Sequence, residues 1–210
     1  VTAGNGGTSL GTMSATASTA ANLNCCQRVM WGSNNYAQSA IRQWLNSYAE
    51  AGSVWRPTNK FDRAPSWNSN TNGFLYGLPA DFLSAIQPAV VPCRTNSVFE
   101  VASLDGAVFT TNQVYNLAEK FFLLSRPEIF GDWDSSSYKD GPRLPYCEGL
   151  TATERIKRDA AGSARNCWLR SPNPGNANNE RNVNTDGSLN NNNANNSNGG
   201  APDCEKASLK

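Results

Sequence analysis

The chain has 210 residues, a formal net charge of +1 and 17% charged residues, so nothing in its electrostatics favours nucleic acid or an anionic membrane as a partner. Aromatic residues make up 10% of the sequence, which is enough to build a core and argues against global disorder. No apolar run approaches the roughly 18 residues that span a bilayer, and the absence of histidine excludes Ser-His-Asp and Cys-His catalytic sites.

The chain begins with a predicted arm and a helix. Residues 1–24 are mostly Ala, Ser, Thr and Gly, which predicts a linker or N-terminal arm before a domain spanning 25–210. The segment 35–48 predicts a helix, with Asn35 as its cap and Gln38 in the capping-box position. Its apolar residues recur at the spacing of one helical face: Ile41, Trp44, Leu45 and Tyr48.

The middle of the chain predicts a second helix and several strands. LPADFLSAIQP, residues 78–88, reads as a short helix with Pro79 in its first turn, Phe82 and Ile86 on one face and Pro88 at its end. Strands are predicted from short β-branched or apolar runs: AVVPC (89–93), SVFEVASL (97–104), AVFTT (107–111) and KFFLLS (120–125).

The chain from 127 onward predicts a break, a loop and one more helix. Pro127 and Gly131 are interpreted as breakers, and residues 131–150 as a loop. In TATERIKRDAAG, Thr151 and Glu154 have capping-box spacing and Gly162 is a plausible stop, which predicts a short, mostly solvated helix.

The element pattern also predicts a fold class. Trp168 and Leu169 are expected to enter the core. A few helices among many short strands and long loops indicate an α+β protein.

The six cysteines form no C-x-x-C pair, so a zinc site is not expected. An even count permits disulfides, but the irregular spacing favours mostly free or buried thiols, with one or two bridges as the alternative. The cysteines are Cys25, Cys26, Cys93, Cys147, Cys167 and Cys204.

The segment 173–200 is dominated by asparagine and admits two interpretations. A tract of this composition is usually disordered, but VNTDGSL inside it predicts a hairpin with a three-residue loop, Thr185–Gly187, and Gly187 in the left-handed conformation. Val183 and Leu189 then form a cross-strand pair on one face. The opposite face carries a row of amides: Asn182, Asn184, Asn190 and Asn192. Beyond Asn192 the alternation ends, which predicts a turn or loop.

The same segment lacks lysine, which is absent from 159–205. Asparagine and lysine codons both begin with AA, but mutating the adenines of an asparagine codon never creates a stop codon, whereas a lysine codon can become one. A stretch rich in asparagine and free of lysine is therefore what a template for adenine-directed randomisation would encode.

Several motifs together resemble the variable proteins of diversity-generating retroelements, more narrowly the group from gut bacteria and their phages. The resemblance covers roughly residues 29–204. Its most specific part is WLRSP followed by VNTDGSLNNNNANNSNG, and its supporting motifs are GSNNYAQSAIRQWLNS, FLSAI, KFFLLSRPEIFG and RIKRDAAGSARNCWLRSPNPG.

The resemblance implies a C-type-lectin-like α+β fold with short helices and a small twisted antiparallel sheet. It implies a non-enzymatic binding protein, without cofactor or metal, whose variable region at about 166–200 forms the ligand-binding face. The partner would be a surface protein or glycan of a target cell, the location a phage tail or a bacterial surface, and a homo-oligomer is left open.

The resemblance also implies a role for each residue of the tract. The variable positions would be Asn173, Asn176, Asn178, Asn179, Asn182, Asn184, Asn190, Asn191, Asn192, Asn193, Asn195, Asn196 and Asn198. The scaffold positions would be Trp168, Leu169, Val183, Gly187 and Leu189.

This sequence departs from the family pattern in two places, and other functions stay open. Asn166-Cys167 stands where relatives carry an aromatic residue, and the ending GGAPDC differs from the commoner form. One alternative is a fixed lectin or structural virion protein. Another is an oxidase of the formylglycine-generating type, which would need two of Cys147, Cys167 and Cys204 close together, with Asp132, Asp134, Asp140 and Glu148 as possible acid–base groups.

Overall fold

The computed structural model describes residues 36–56, 70–95, 101–102, 108–109, 112–134, 139–175, 179–193 and 198–206. Within these ranges the chain has short helices and small sheets, so the predicted α+β class is confirmed. The predicted arm at 1–24 lies outside them. Across the described residues, no helix is long and apolar enough to cross a membrane.

The helices are short. Two 3-10 turns cover Tyr36–Gln38 and Pro145–Cys147. The α-helices that the structure describes are α1 (Ala40–Leu45), α2 (Ala80–Ala85), α3 (Arg126–Phe130) and α4 (Ala152–Arg155).

Helix α1 begins later than the sequence suggests. Its N-cap is Ser39, whose hydroxyl oxygen accepts a hydrogen bond from the backbone N–H of Arg42 at 3.2 Å. The predicted cap, Asn35, lies outside the described residues. Ile41 and Leu45 are buried as expected, but Tyr48 follows the helix and is 53% exposed, so the predicted apolar face ends one turn earlier.

Helices α2 and α4 confirm their predicted starts. Pro79 precedes α2, and the capping box of Thr151 and Glu154 opens α4. The predicted stop at Gly162 is wrong, because α4 ends at Arg155 and Gly162 takes a left-handed conformation in the turn of the next hairpin.

The strands pair mostly as antiparallel ribbons. The largest sheet has four strands in the order β11-β10-β9-β12, and only its β9–β12 pair is parallel among the pairings described. Two-stranded sheets join β1 to β14, β2 to β5, β3 to β4, β6 to β13 and β7 to β8. The strands are β1 (Ile86–Gln87), β2 (Ala89–Arg94), β3 (Val101–Ala102), β4 (Val108–Phe109), β5 (Val114–Glu119), β6 (Phe122–Leu123), β7 (Lys157–Arg158), β8 (Ala164–Arg165), β9 (Cys167–Pro172), β10 (Asn179–Val183), β11 (Leu189–Asn193), β12 (Gly199–Gly200), β13 (Pro202–Asp203) and β14 (Glu205–Lys206).

The strand predictions hold unevenly. AVVPC is confirmed as β2, and the described parts of SVFEVASL and AVFTT are the paired strands β3 and β4. KFFLLS is not one buried strand, since only Phe122 and Leu123 belong to β6. Lys120 and Phe121 leave the strand because both of their backbone N–H groups donate to the side-chain oxygen of Asn46, at 3.0 and 3.1 Å.

Helix α3 replaces the predicted break. Ser125 caps it in a capping box with Glu128, Pro127 lies in its first turn, and Gly131 ends it in the left-handed conformation. The proline and glycine that were interpreted as breakers are therefore the ordinary start and end signals of a helix.

Strand β9 lies between two apolar clusters. Its Trp168 belongs to the larger cluster, together with helix α1 and strands β2 and β6, and its Leu169 belongs to a smaller cluster with Ile129, Cys147 and Val183. Neighbouring residues of a strand point to opposite faces, so one strand serves both clusters. The predicted burial of Trp168 and Leu169 is confirmed at 4% and 3% exposure.

Arg170, the next residue of β9, is fully buried and ties four other parts of the fold to this strand. Its guanidinium donates to the backbone oxygens of Pro92 at 2.9 Å, Leu123 at 2.7 Å and Asp140 at 2.7 Å. It also forms a two-point ion pair with the carboxylate of Glu128 in α3. These contacts use all five guanidinium N–H donors.

Replacing Arg170 with lysine is expected to destabilise the fold, because lysine keeps the charge but loses hydrogen bonds, and each buried acceptor left unsatisfied costs about 1–3 kcal/mol. An ammonium group cannot reproduce the planar fork that reaches Glu128 and the backbone oxygens together. The free energy of unfolding in urea measures the loss. Arg165→Lys is the matched control, because the Arg165 side chain is 62% exposed beside Asp159 and the substitution should leave the midpoint nearly unchanged. Equal midpoints for the two variants would contradict the role given to Arg170.

Candidate functional site

The asparagine-rich hairpin has the predicted register. Val183 pairs with Leu189, and the ladder continues through Asn182 with Asn190 to Asn179 with Asn193. The loop is Thr185–Gly187, closed by the Asn184 N–H donating to the Ser188 oxygen at 2.9 Å. Gly187 has φ +81°, in the left-handed region, as the three-residue loop requires. The hairpin prediction is confirmed.

The Asp186 side chain orders the loop. Its carboxylate accepts hydrogen bonds from both the hydroxyl, at 2.6 Å, and the backbone N–H, at 2.9 Å, of Ser188. These contacts lower the pKa of Asp186. On the other side, the Thr185 N–H donates to the Asn166 side chain at 3.0 Å, which attaches the loop to the residue before β9.

The apolar pair anchors the hairpin on the smaller cluster. Val183 is 1% exposed and packs with Leu169 of β9, and Leu189 is half-buried against the same cluster. The face predicted for these two side chains is therefore confirmed.

The hairpin tip is fixed against helix α4. A Cβ atom added to Gly187 would lie 1.7 Å from the backbone oxygen of Ala152, so only glycine fits this contact. The Arg155 Nε donates to the Gly187 oxygen at 3.1 Å, and its guanidinium also reaches the Leu150 oxygen and lies 4.8 Å from the Phe130 ring centroid. The sequence predicted that the turn requires glycine at position 187 because of its backbone conformation. The second reason, the close approach of α4, depends on the tertiary structure.

The predicted amide face forms, but it is not uniformly exposed. The Asn182 side chain donates to the Asn184 oxygen at 3.0 Å, and Asn190 donates to the same oxygen at 3.3 Å. Asn190 is exposed and Asn184 half-buried, whereas Asn182 is fully buried opposite Trp168. The Asn182 side-chain oxygen has no hydrogen-bond partner among the residues that the structure describes. A buried position differs from the exposure expected of a site that tolerates many side chains.

Another asparagine, Asn191, lies on the opposite face of the hairpin and contacts a network of ions. Its side-chain oxygen accepts from Arg181 at 3.0 Å. Arg181 also pairs with Asp134, which in turn pairs with Arg126, and Arg126 binds Asp132 at 2.9 and 3.0 Å. The network connects the outer strand β11 to helix α3. No local sequence pattern predicts it, because its members are distant along the chain.

The remaining asparagines are placed as follows. Asn179 and Asn192 are half-buried and Asn193 is exposed at the end of β11, which runs one residue beyond the predicted end. Asn173 is half-buried after β9, and Asn198 is buried before β12. Four predicted variable positions lie outside the described residues: Asn176, Asn178, Asn195 and Asn196.

An unexpected acid lies under the amide face. Glu180 shares the Asn182 side of β10, is 8% exposed, and its Oε1 atom has no hydrogen-bond partner in the described part of the chain. Burial, and then the nearby Asp140 carboxylate, hold the pKa of Glu180 well above its usual value. Asp140 is itself buried and accepts a hydrogen bond from the Ser171 hydroxyl. The alternation of β10 in the sequence would have assigned Glu180 to this face, but not its burial.

The cysteines considered for catalysis that lie within the described ranges are free thiols, and two of the candidate carboxylates, Asp132 and Asp134, are paired with Arg126. Cys93, Cys147, Cys167 and Cys204 are free, as predicted, and burial raises the pKa of each thiol, that of Cys93 to about 12. A thiol of raised pKa is a poor nucleophile at neutral pH. The same part of the chain contains no group of three or more His, Cys, Asp and Glu side chains that could hold a metal ion.

Gly187→Ala is expected to destabilise the hairpin through two effects. The left-handed backbone costs a residue with a Cβ atom about 1–2 kcal/mol, and the clash with the Ala152 oxygen adds to it. Gly162→Ala is a matched control, because Gly162 has the same φ of +81° but nothing within 4 Å of an added Cβ. The difference between the two urea midpoints measures the close contact, and equal midpoints would contradict it.

Glu180→Gln is expected to remove a pH dependence of stability. Below pH 4.5 the carboxyl is protonated in both the folded and the unfolded chain. As the pH rises from there toward the raised folded pKa, the unfolded chain loses this proton and the native protein keeps it, so the native protein loses stability. The glutamine variant should lack this loss and exceed the wild type at neutral pH. Urea midpoints between pH 4 and pH 8 test this, with the exposed Glu148→Gln as control; parallel curves for wild type and Glu180→Gln would refute it.

Comparison with known proteins gives one family. No curated protein and no solved structure matches the chain. A family model described as "Domain of unknown function (DUF6273)" matches residues 17–204, which includes the whole hairpin and its supporting strands. The chain belongs to this DUF6273 family.

Proposed function

We propose that the chain is a diversifiable ligand-binding protein whose asparagine-rich hairpin is the target of adenine-directed mutagenesis and carries the binding face. The observation that supports this most is that the residues that anchor the hairpin differ from those that form its surface. The residues that anchor it, Val183 and Gly187, are buried or sterically fixed, while the outer strand β11 is a run of asparagines at or near the surface.

The proposal includes a C-type-lectin-like fold. Short helices around a small, mostly antiparallel sheet are compatible with it. In that arrangement β9 is the buried strand, and β10 and β11 extend from it toward the solvent. The ligand would be a surface protein or glycan of a target cell, met at a phage tail or a bacterial surface.

A surface of asparagines is expected of a sequence before diversification rather than of a high-affinity binding site. Affinity at protein interfaces comes mainly from Tyr, Trp and Arg anchors, and the exposed side chains of β11 include none of these. Each amide can donate and accept, but water competes for it and the net gain is about 1 kcal/mol per bond. We expect weak binding by this variant and stronger binding by diversified copies.

The burial pattern narrows the set of useful variable positions. Asn190 and Asn193 are exposed, and Asn184, Asn191 and Asn192 are half-buried. Changes there alter the surface without opening the core. Asn182 and Asn198 are buried, so bulky replacements at these two positions should cost stability.

Deep sequencing of the 3′ end of the gene in a natural population tests the function. Substitutions should concentrate at asparagine codons of 173–198 and should change adenines. They should be rare at Asn182 among functional copies. Substitutions spread evenly along the gene would contradict the proposal, and a neighbouring reverse transcriptase gene with a near-identical repeat would support it.

Two tyrosine substitutions test the tolerance of the face. An asparagine codon becomes a tyrosine codon by one adenine change, so Asn190→Tyr and Asn182→Tyr are both reachable variants. We expect Asn190→Tyr to stay within about 0.5 kcal/mol of the wild type, and Asn182→Tyr to lose about 1–3 kcal/mol through overpacking beside Trp168. Thermal unfolding followed by circular dichroism compares them. Equal tolerance at both positions would show that Asn182 is as variable as its neighbours.

A further inference from the structure

A cavity of about 360 Å³ lies behind the hairpin tip, outside the asparagine tract. It opens between the α4–β7 segment and strand β13. Its walls are largely apolar and come from several elements: Leu124, Ile129, Leu144, Leu150 and Pro202. The Tyr146 ring stands at the cavity and is 83% exposed, so it does not fill the space. A volume and lining of this kind are typical of small-molecule sites.

The charged side chains around the cavity are not equivalent. Glu154 is occupied by its capping box, where its carboxylate accepts from the Thr151 N–H and hydroxyl, both at 2.8 Å. The Asp203 carboxylate accepts from the backbone N–H of Cys204 at 2.8 Å. Arg155 is held by the Gly187 and Leu150 oxygens. The cavity therefore has three charged groups with protein partners.

Lys157 is the exception. This half-buried residue of β7 lines the cavity, and its ammonium group forms no hydrogen bond or ion pair within the described residues. Lys157 lines the cavity together with the buried Cys147. An ammonium group at a largely apolar cavity, with no hydrogen bond or ion pair among the described residues, favours an anionic ligand even though Glu154 and Asp203 line the same cavity.

We propose that this cavity is a binding site for a small apolar carboxylate, with the apolar body among Leu144, Leu150 and Pro202 and the carboxylate on Lys157. A singly charged group fits better than a phosphate, because Glu154 and Asp203 would repel a dianion. A ring or a short branched chain matches the volume, and the Tyr146 side chain can cover the open side.

Binding here is coupled to the hairpin through Arg155. Arg155 lines the cavity, and its guanidinium donates to the Gly187 oxygen at the hairpin tip. A ligand beside Arg155 changes the surroundings of this hydrogen bond, so an occupied cavity should shift the amide signal of Gly187. The cavity shares no lining residue with the asparagine tract, so the site stands or falls independently of the proposed diversification.

The test uses the full 210-residue chain and 3-phenylpropionate as the probe, with the uncharged 3-phenylpropionamide as its matched control. Isothermal titration gives the affinity, and amide NMR shifts locate the site. The acid should bind saturably, shift residues around Leu144 and Lys157 together with Gly187, and bind about ten- to a hundredfold more tightly than the amide, as one charged hydrogen bond predicts.

Lys157→Met removes the charge but keeps an apolar stem. It should lower the affinity for 3-phenylpropionate about ten- to a hundredfold and leave the affinity for the amide unchanged. Arg158→Met is the control, since it removes the same charge from the adjacent, exposed residue of β7 and should change neither affinity. Equal binding of acid and amide, unchanged affinity in Lys157→Met, an equal loss in Arg158→Met, or shifts only elsewhere in the protein would each overturn the proposal.

Discussion

The buried guanidinium of Arg170 is the contact on which the arrangement of this protein depends. Ionic groups in a protein interior are costly unless every donor and acceptor is satisfied. Arg170 meets that condition by reaching β2, β6, α3 and the Asp140 loop at once. Burial lowers the pKa of Arg170, but Glu128, together with Cys93 and Asp140, raises it, and the net shift is upward. Glu128 has a second function, since the same carboxylate accepts from the Ser125 N–H in the capping box of α3. Adding a Cβ atom to Gly141 would place it 2.6 Å from that carboxylate, so the loop is shaped around the ion pair.

Burial in the four-stranded sheet decreases from strand β9 outward. All six residues of β9 are buried, β10 alternates between buried and half-buried, and β11 has no buried residue. Each strand outward from Arg170 therefore packs against fewer atoms, and the cost of changing a side chain falls along the same direction. Asn182 and Asn190 are directly paired, yet Asn182 is buried and Asn190 is exposed. The composition of the tract alone does not reveal this difference in burial.

The sequence predicted the features that depend on interactions between residues close together in the chain. The turn chemistry of Asp186 and Gly187 and the pairing of Val183 with Leu189 involve residues within a few positions of each other, and the hairpin has that register. The start of α4 follows from Thr151 and Glu154 for the same reason. Helix α3 was missed because Pro127 and Gly131 have two meanings, and only the Ser125–Glu128 box distinguishes a helix from a break.

Long-range contacts decided the rest. KFFLLS has the composition of a strand, but the Asn46 side chain, 74 residues away from Lys120, takes the backbone groups that a strand would have paired. Arg170, Glu180 and Asn182 are polar residues in strands, and nothing in their spacing indicates that distant elements cover them. The burial of Arg170 depends on partners at 92, 123, 128 and 140, which no local pattern connects.

A surface that accepts many different side chains needs a backbone whose conformation stays the same when those side chains change. In this hairpin the requirement is met at both ends. Val183 and the buried β9 hold its base, and α4 holds its tip, where the Gly187 backbone lies too close to Ala152 for any side chain. The contacts of Val183 and Gly187 are steric and apolar, so replacing the amides of β11 leaves both in place. Asn191 adds a polar contact, because its side-chain oxygen accepts from Arg181 in the network that reaches helix α3. The contacts of Val183 and Gly187 are therefore separate from the side chains that would recognise a ligand.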